Sequence, residues 1–384
     1  MALGAEPAEG VGAPPDPGDE EPPMTERLIS ADSHVRVSHD QIKSFMPAKY
    51  HAVYDEAAAE HENRMKTGAG AANQAGAKPK DKATTANSAF SRPSYSDPVE
   101  RLKDMDTDGV DVEVLYSEVS AFRYLSTIKD GGVGPALRAF NDCLHAFSDV
   151  DPKRLVMSYQ VPIHDIELAM GEVERVVGLG ARSLQLPVFP NELGQLDYYH
   201  DRYAPLLSLI QETGLPIALH IGLKTTLSEL ADRDPTPLKG IMVSMTPLMT
   251  AESFGMWTMT GLLERFPDLK LVFVEPGIAW VAWYMEMVDD MVTRQGYEYP
   301  GTTMLPSEYM RRNMSFTFID EKLGLERMRD YIGVENLMWS TDFPHPVTSW
   351  PNSRACVEKQ FAEVPQHERE LMLSGNAMRT WNLS

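Results

Sequence analysis

The strongest constraint on this chain is a rhythm. Eight short runs rich in apolar and β-branched residues recur along it: Ser30 to Val35, Val110 to Tyr116, Leu155 to Val161, Ala181 to Val188, Pro216 to Ile221, Leu269 to Glu275, Met314 to Ile319 and Asn336 to Ser340. Between them lie segments with helical spacing, among them Pro98 to Met105, Gly134 to Ser148, Ile166 to Leu179, Tyr203 to Thr213, Leu248 to Phe266, Trp280 to Arg294 and Lys322 to Tyr331. Leu179-Gly180-Ala181 and Thr213-Gly214-Leu215 place a glycine where a helix must turn into the next strand. Strands that alternate with helices pair in parallel, and eight such units fit a closed barrel better than an open sheet. A doubly wound sheet usually carries a Gly-rich turn after its first strand, and Ala31-Asp-Ser-His-Val35 is nothing of the kind.

The expected fold is therefore α/β: a single-domain (β/α)8 TIM barrel over residues 27–384, with Gln366 to Trp381 as a terminal helix closing its outer layer. Residues 1–26 are rich in Ala, Gly, Pro and Glu and are expected to be a disordered tail, because they have too little apolar surface to offset ordering entropy. A helix from Ala48 to Met65 leads into a Gly-, Ala-, Ser- and Lys-rich stretch, read as a flexible insertion over about 66–95. That insertion is long enough to act as a lid, and equally suits a segment with no role.

A formal net charge of −21 argues against nucleic-acid or anionic-membrane partners, both of which need a basic footprint. The two cysteines, Cys143 and Cys356, form no disulfide framework and have no zinc spacing, so a reducing cytoplasm is the expected location. No secretory leader is legible, and no apolar run approaches the ~20 residues of a spanning helix.

In such a barrel the C-terminal strand ends converge on one mouth. The polar groups there are Asp32 and His34 on the first strand, His220 on the fifth, Glu275 on the sixth, and Asp342 with His345 just past the eighth. On a strand, residues i and i+2 share a face, so Asp32 and His34 look into one space. Taken singly, each has an ordinary structural explanation: a buried histidine bonded to backbone, a solvated strand end, a turn cap. Together, three imidazoles and three carboxylates make an N/O donor set suited to Zn, Mn, Fe or Co.

The chain resembles the amidohydrolase-related, metal-dependent TIM-barrel family that includes aminocarboxymuconate semialdehyde decarboxylase and the resorcylate decarboxylases. The resemblance rests on Asp32-x-His34, Leu219-His-x-Gly222 and Met338-Trp-Ser-Thr-Asp-Phe-Pro-His345, and extends through Asp106-x-Asp-Gly-Val-Asp111, Phe140-Asn-Asp142, Pro306-Ser-Glu-Tyr309 and Trp350-Pro-Asn-Ser353. It implies that Asp32, His34, His220 and Asp342 bind a divalent metal. One departure stands out: where the family's decarboxylases and many of its hydrolases place a strand-six histidine for acid/base work, this chain has Glu275.

A carboxylate there can act as a base or bridge two metals, and with His345 the six groups suffice for two ions. The favoured expectation is accordingly a non-heme di-iron monooxygenase using O2, similar to the family's hydroxylases of amino-acid breakdown and diterpenoid antibiotic biosynthesis. Glu275, Asp342 and His345 would be its catalytic as well as metal-binding residues. The alternative is a mononuclear Zn- or Mn-dependent hydrolase or non-oxidative decarboxylase. A non-catalytic scaffold would predict broken ligand positions, and none of the six is broken.

The substrate is expected to be a small organic acid or acyl compound. Arg123, Arg182 and Lys224, placed near the mouths of strands two, four and five, are candidates to neutralise it, or are merely solvated. The Met- and Trp-rich segments Met242 to Met259 and Trp280 to Met291 suit an apolar channel, a core, or the interface of a homodimer.

Overall fold

The computed structural model describes residues 26–67, 91–117, 121–125, 127–222, 224–295 and 301–383. The expected tail lies outside them up to residue 25, as does the expected insertion from 68 to 90. The insertion's anticipated end needs correction: Pro93–Tyr95 form a 3-10 turn with Ser94 and Tyr95 buried.

All eight strands are present and parallel: β1 Ile29–Val35, β2 Val112–Ser117, β3 Leu155–Gln160, β4 Ser183–Gln185, β5 Ile217–His220, β6 Leu271–Val274, β7 Met314–Phe318 and β8 Leu337–Trp339, in sequential order around one sheet. The circle closes between β1 and β8, where Ser33 bridges Phe343. There the Asp342 amide donates to the Asp32 carbonyl at 2.9 Å, and the His34 amide to the Phe343 carbonyl at 2.6 Å.

Local chemistry sets the helix ends. Pro98–Asp108 starts on Asp97, whose carboxylate accepts from the Val99 and Glu100 amides, and stops at Gly109 in the left-handed region at φ 74°. Three expected helices are interrupted. Leu248 to Phe266 divides into Thr250–Thr258 and Leu262–Arg265 around Gly261 at φ 75°. Lys322 to Tyr331 and Gln366 to Trp381 each contain a turn of π-helix, Gly324–Met328 and Leu371–Gly375. A π-turn adds one residue to a helical repeat, and apolar spacing read over a whole segment does not mark where that residue sits. His39–Phe45, capped reciprocally by Ser38 and Gln41, is an additional short helix.

Apolar packing separates into an outer shell between strands and helices and a smaller set inside the barrel. The inner set includes Ile29, Val112, Val156, Val272 and Met338, and the C-terminal helix Asn376–Trp381 joins it through Ala377 and Trp381. The last helix thus plugs the floor of the barrel, away from the mouth. No helix among the described residues is long and apolar enough to cross a membrane.

Trp381 is 1% exposed. Trp381→Ala is expected to cost about 3–5 kcal/mol, measured by denaturant unfolding, while divalent-cation binding per folded chain stays at the wild-type level.

Candidate metal centre

β1 carries an irregularity that decides the site. Ile29 pairs with Val112 and Ser30 with Glu113, but the next pairs are Ser33 with Leu115 and His34 with Tyr116. One extra residue therefore sits on β1 opposite Glu113–Leu115, a bulge that reverses the alternation of faces. Ile29 and Ala31 point into the barrel below it. A regular strand would continue with Ser33 and Val35; instead Asp32 and His34 face inward, and Ser33 turns outward to donate to Glu113 at 3.2 Å.

Asp32 and His34 stand on β1, His220 ends β5, Glu275 follows β6, and Asp342 and His345 lie in the turn after β8. His34 Nε2 lies 3.5 Å from Asp32 Oδ1 and 3.1 Å from Asp342 Oδ1. His220 Nε2 lies 3.6 Å from Asp32 Oδ1 and 3.9 Å from Glu275 Oε2. The rings of His220 and His345 meet that of His34 edge-on, with centroids 4.9 and 4.3 Å away. Two overlapping groups result, Asp32–His34–His220–Glu275 and His34–Asp342–His345, each with its ligand atoms within 4.8 Å of one another.

A divalent ion suits this arrangement on its hydrogen bonding alone. Both carboxylate oxygens of Asp32 and of Asp342, both ring nitrogens of His34 and Nε2 of His220 are buried without a hydrogen-bond partner. Orphaned polar atoms are costly, and so many facing one space need a common partner of opposite character. His220 Nδ1 donates to the Ile221 carbonyl at 3.0 Å, which leaves Nε2 as the ring nitrogen facing the cluster.

The charges point the same way. Burial pushes the Asp342 carboxyl well above its ordinary range, and the nearby Glu275 and Asp32 charges add to the effect. Burial raises Glu275 to about 7, with Asp32 adding to the rise and His220 opposing it. For His220 burial acts downward, but Asp32 and Glu275 outweigh it and raise the ring to about 9. His34 is lowered by burial, then by the positive charges of His345, His220 and Arg101. Two fully buried carboxylates and the partly exposed Glu275 face one space, and a cation there would relieve their repulsion. Glu275 at φ 63° and Asp342 at φ 52° also occupy the left-handed region, which costs a non-glycine residue roughly 1–3 kcal/mol and is concentrated at functional sites.

Other candidates fall elsewhere. Arg182 precedes β4, at the opposite end of the strand from the mouth, and donates to the Asn382 carbonyl, so its expected place near the mouth is corrected. Lys224 does lie just past β5, but it is buried, paired with Glu252 and 4.7 Å from the centre of the Phe189 ring. The Arg123 side chain lies outside the described residues. Trp257 stacks on Tyr198 with ring centroids 5.2 Å apart, and Trp280 donates to the Pro276 carbonyl at 2.7 Å, contacts of core packing rather than of an open channel.

Three inward groups escaped sequence reasoning because uncharged polar residues on strands look ordinary. The Tyr116 hydroxyl, Gln160 Oε1 and both amide atoms of Gln185 are buried and unpartnered at the ends of β2, β3 and β4. Tyr116 pairs with His34 and its ring lies 5.6 Å from that of His220. Gln160 pairs with Gln185, which pairs with Ala218, two residues before His220. They form a neutral polar arc between the β1 and β5 ligands.

Comparison with known proteins agrees with this architecture. A 2-amino-3-carboxymuconate-6-semialdehyde decarboxylase of Dictyostelium discoideum is 21% identical over 286 residues, 73% of this chain and 76% of that protein. The structure of 5-carboxyvanillate decarboxylase from Sphingomonas paucimobilis superposes with a TM-score of 0.69 at 22% identity, covering 94% of this chain and 100% of that one. A dihydroxybenzoic acid decarboxylase from Polaromonas sp. JS666, solved with bound manganese and the inhibitor 2-nitroresorcinol, gives 0.68 at 19% identity, covering 94% and 98%. The similar proteins named here are described as decarboxylases and none as an oxygenase, so they lend no support to the expected di-iron monooxygenase. The family model described as Amidohydrolase matches residues 6–383, nearly the whole chain, and this protein belongs to that family.

Proposed function

We propose that this protein is a divalent-metal-dependent decarboxylase that removes a carboxylate from a small aromatic or similarly unsaturated acid without an oxidant. The observation that carries the reading is the set of unpartnered inward atoms on Asp32, His34, His220 and Asp342, the residues assigned to hold one ion. A bound ion would supply fixed positive charge that draws the substrate's carboxylate into the mouth. Manganese is the first candidate, because a structural relative contains it.

The chain's own residues do the rest. Lys224 is committed to Glu252 and Arg182 lies at the far end of β4, so neither is placed to neutralise a substrate anion. Tyr116, Gln160 and Gln185 would receive uncharged polar substituents along the opposite wall. Decarboxylation breaks one C–C bond, carbon dioxide leaves, and the electron pair left on the substrate carbon takes a proton. Glu275 is assigned to hold that proton: its side chain is 24% exposed, whereas those of Asp32 and Asp342 are fully buried, so it can exchange with solvent between turnovers. His345, half-buried in the turn after β8, is the alternative proton carrier.

A two-ion reading draws on the second group, His34–Asp342–His345. Its shared member is His34, an imidazole, while Glu275, the expected bridge, belongs to the first group alone. Carboxylates bridge two ions readily and imidazoles seldom do, so this arrangement favours one ion.

Exhaustive chelation should abolish carbon dioxide release from a hydroxybenzoate panel, and manganese should restore it at roughly one ion per chain by elemental analysis. Two irons per chain with oxygen-consuming turnover would overturn the proposal. Glu275→Gln should retain the ion and lower turnover ~10²–10⁴-fold, while His345→Ala should leave ion stoichiometry unchanged.

A further inference from the structure

We infer that Arg101 is a positioning residue of the metal centre, a buried guanidinium that holds the His34 and Asp342 segments in ligand geometry from behind the barrel wall. The inference rests on the metal-dependent reading above. Arg101 belongs to Pro98–Asp108, a helix of the outer layer, and its side chain is fully buried. Nε donates to Glu113 Oε2 at 2.5 Å, Nη1 to the His34 carbonyl at 3.0 Å and Nη2 to the Phe343 carbonyl at 3.5 Å. The guanidinium carbon also lies 4.4 Å from the centre of the Phe343 ring.

Two of these acceptors define the role. One is the carbonyl of a candidate ligand, and the other belongs to the residue directly after Asp342. The same Phe343 carbonyl accepts from the His34 amide, so one side chain fastens both sides of the β1–β8 seam at the level of the ligands. Glu113 extends the fastening, because its other oxygen accepts from Ser33, whose hydroxyl lies 3.1 Å from those of Ser30 and Thr341. A fully buried cation is tolerated only with a charge partner and further acceptors, and this one has both. A planar fork spreads its donors over three nitrogens and so spans three separated acceptors, whereas the three donors of an ammonium all radiate from one nitrogen. The Arg101–Glu113 pair is also self-neutralising, which leaves the carboxylates inside the mouth to be balanced by the ion.

The test separates positioning from simple support of the fold. Full-length wild type, Arg101→Lys and Arg101→Met would be stripped of metal and titrated with Mn(II), free ion being followed by electron paramagnetic resonance and unfolding by circular dichroism. Positioning predicts Mn(II) affinity per folded chain ~10–100-fold weaker in Arg101→Met, with partial recovery in Arg101→Lys and an altered bound-Mn(II) spectrum. Wild-type affinity and spectrum in a folded Arg101→Met would overturn the inference, even with a lowered unfolding temperature. If Arg101→Met does not fold, Arg101→Lys decides: weakened binding supports positioning and unchanged binding overturns it. A wild type that takes up no Mn(II), Zn(II) or Fe(II) would instead sink the metal reading, and the inference with it.

Discussion

The seam between β1 and β8 is the constraint on which the rest depends. Two backbone hydrogen bonds close the barrel there, Asp342 to Asp32 and His34 to Phe343, and both join residues that carry candidate ligands or adjoin one. Closing the sheet and assembling the site are therefore one event. Removing the sheet's free edge satisfies its backbone groups, and the same registration sets His34 Nε2 3.1 Å from Asp342 Oδ1. Ligands more than 300 positions apart in the chain meet because the ring has no other way to close.

The two ends of the barrel show opposite economies. At the floor, Trp381 and Ala377 pack into the inner apolar set, with the Trp381 indole nitrogen buried and unpartnered but uncharged. At the mouth the chain gathers buried carboxylates, orphaned nitrogens and two acids in left-handed backbone. Each feature costs stability on its own, and their coincidence at one point is the mark of a site built for something other than folding. A cation answers the charge and the missing partners together. Strand six adds the individual feature, Glu275, an acid where the family resemblance implies an imidazole, at the edge that solvent still reaches.

Much of this was legible from residue patterns. The eight runs located every strand, because a strand covered on both faces needs a continuous apolar stretch and periodic helices between such runs leave few alternatives. Apart from β1, which begins one residue before its expected start, strand lengths were overestimated, most at β4, where Ala181 to Val188 contains only Ser183–Gln185 as strand. Apolar residues past a strand end pack as well as those within it, so composition does not mark where pairing stops. The six acid and imidazole groups at the mouth were also identifiable, since charged residues at the ends of apolar runs are conspicuous. Tyr116, Gln160 and Gln185 were not, because nothing in their type distinguishes an unpartnered amide from a satisfied one.

By itself the sequence determined the fold class, the end of the barrel where acid and imidazole groups gather, and the donor types available there. These follow from local periodicity and residue type. Only the tertiary structure decided which way those donors point. The bulge in β1 turns Asp32 and His34 inward, a reversal that depends on register with β2 and leaves no trace in a two-residue spacing. Tertiary structure also sent Arg182 to the end of the barrel away from the mouth, tied Lys224 to Glu252, and set Arg101 against the backbone of the candidate ligand His34. Direction, pairing and distance are properties of the closed ring, and no stretch of chain holds them before it closes.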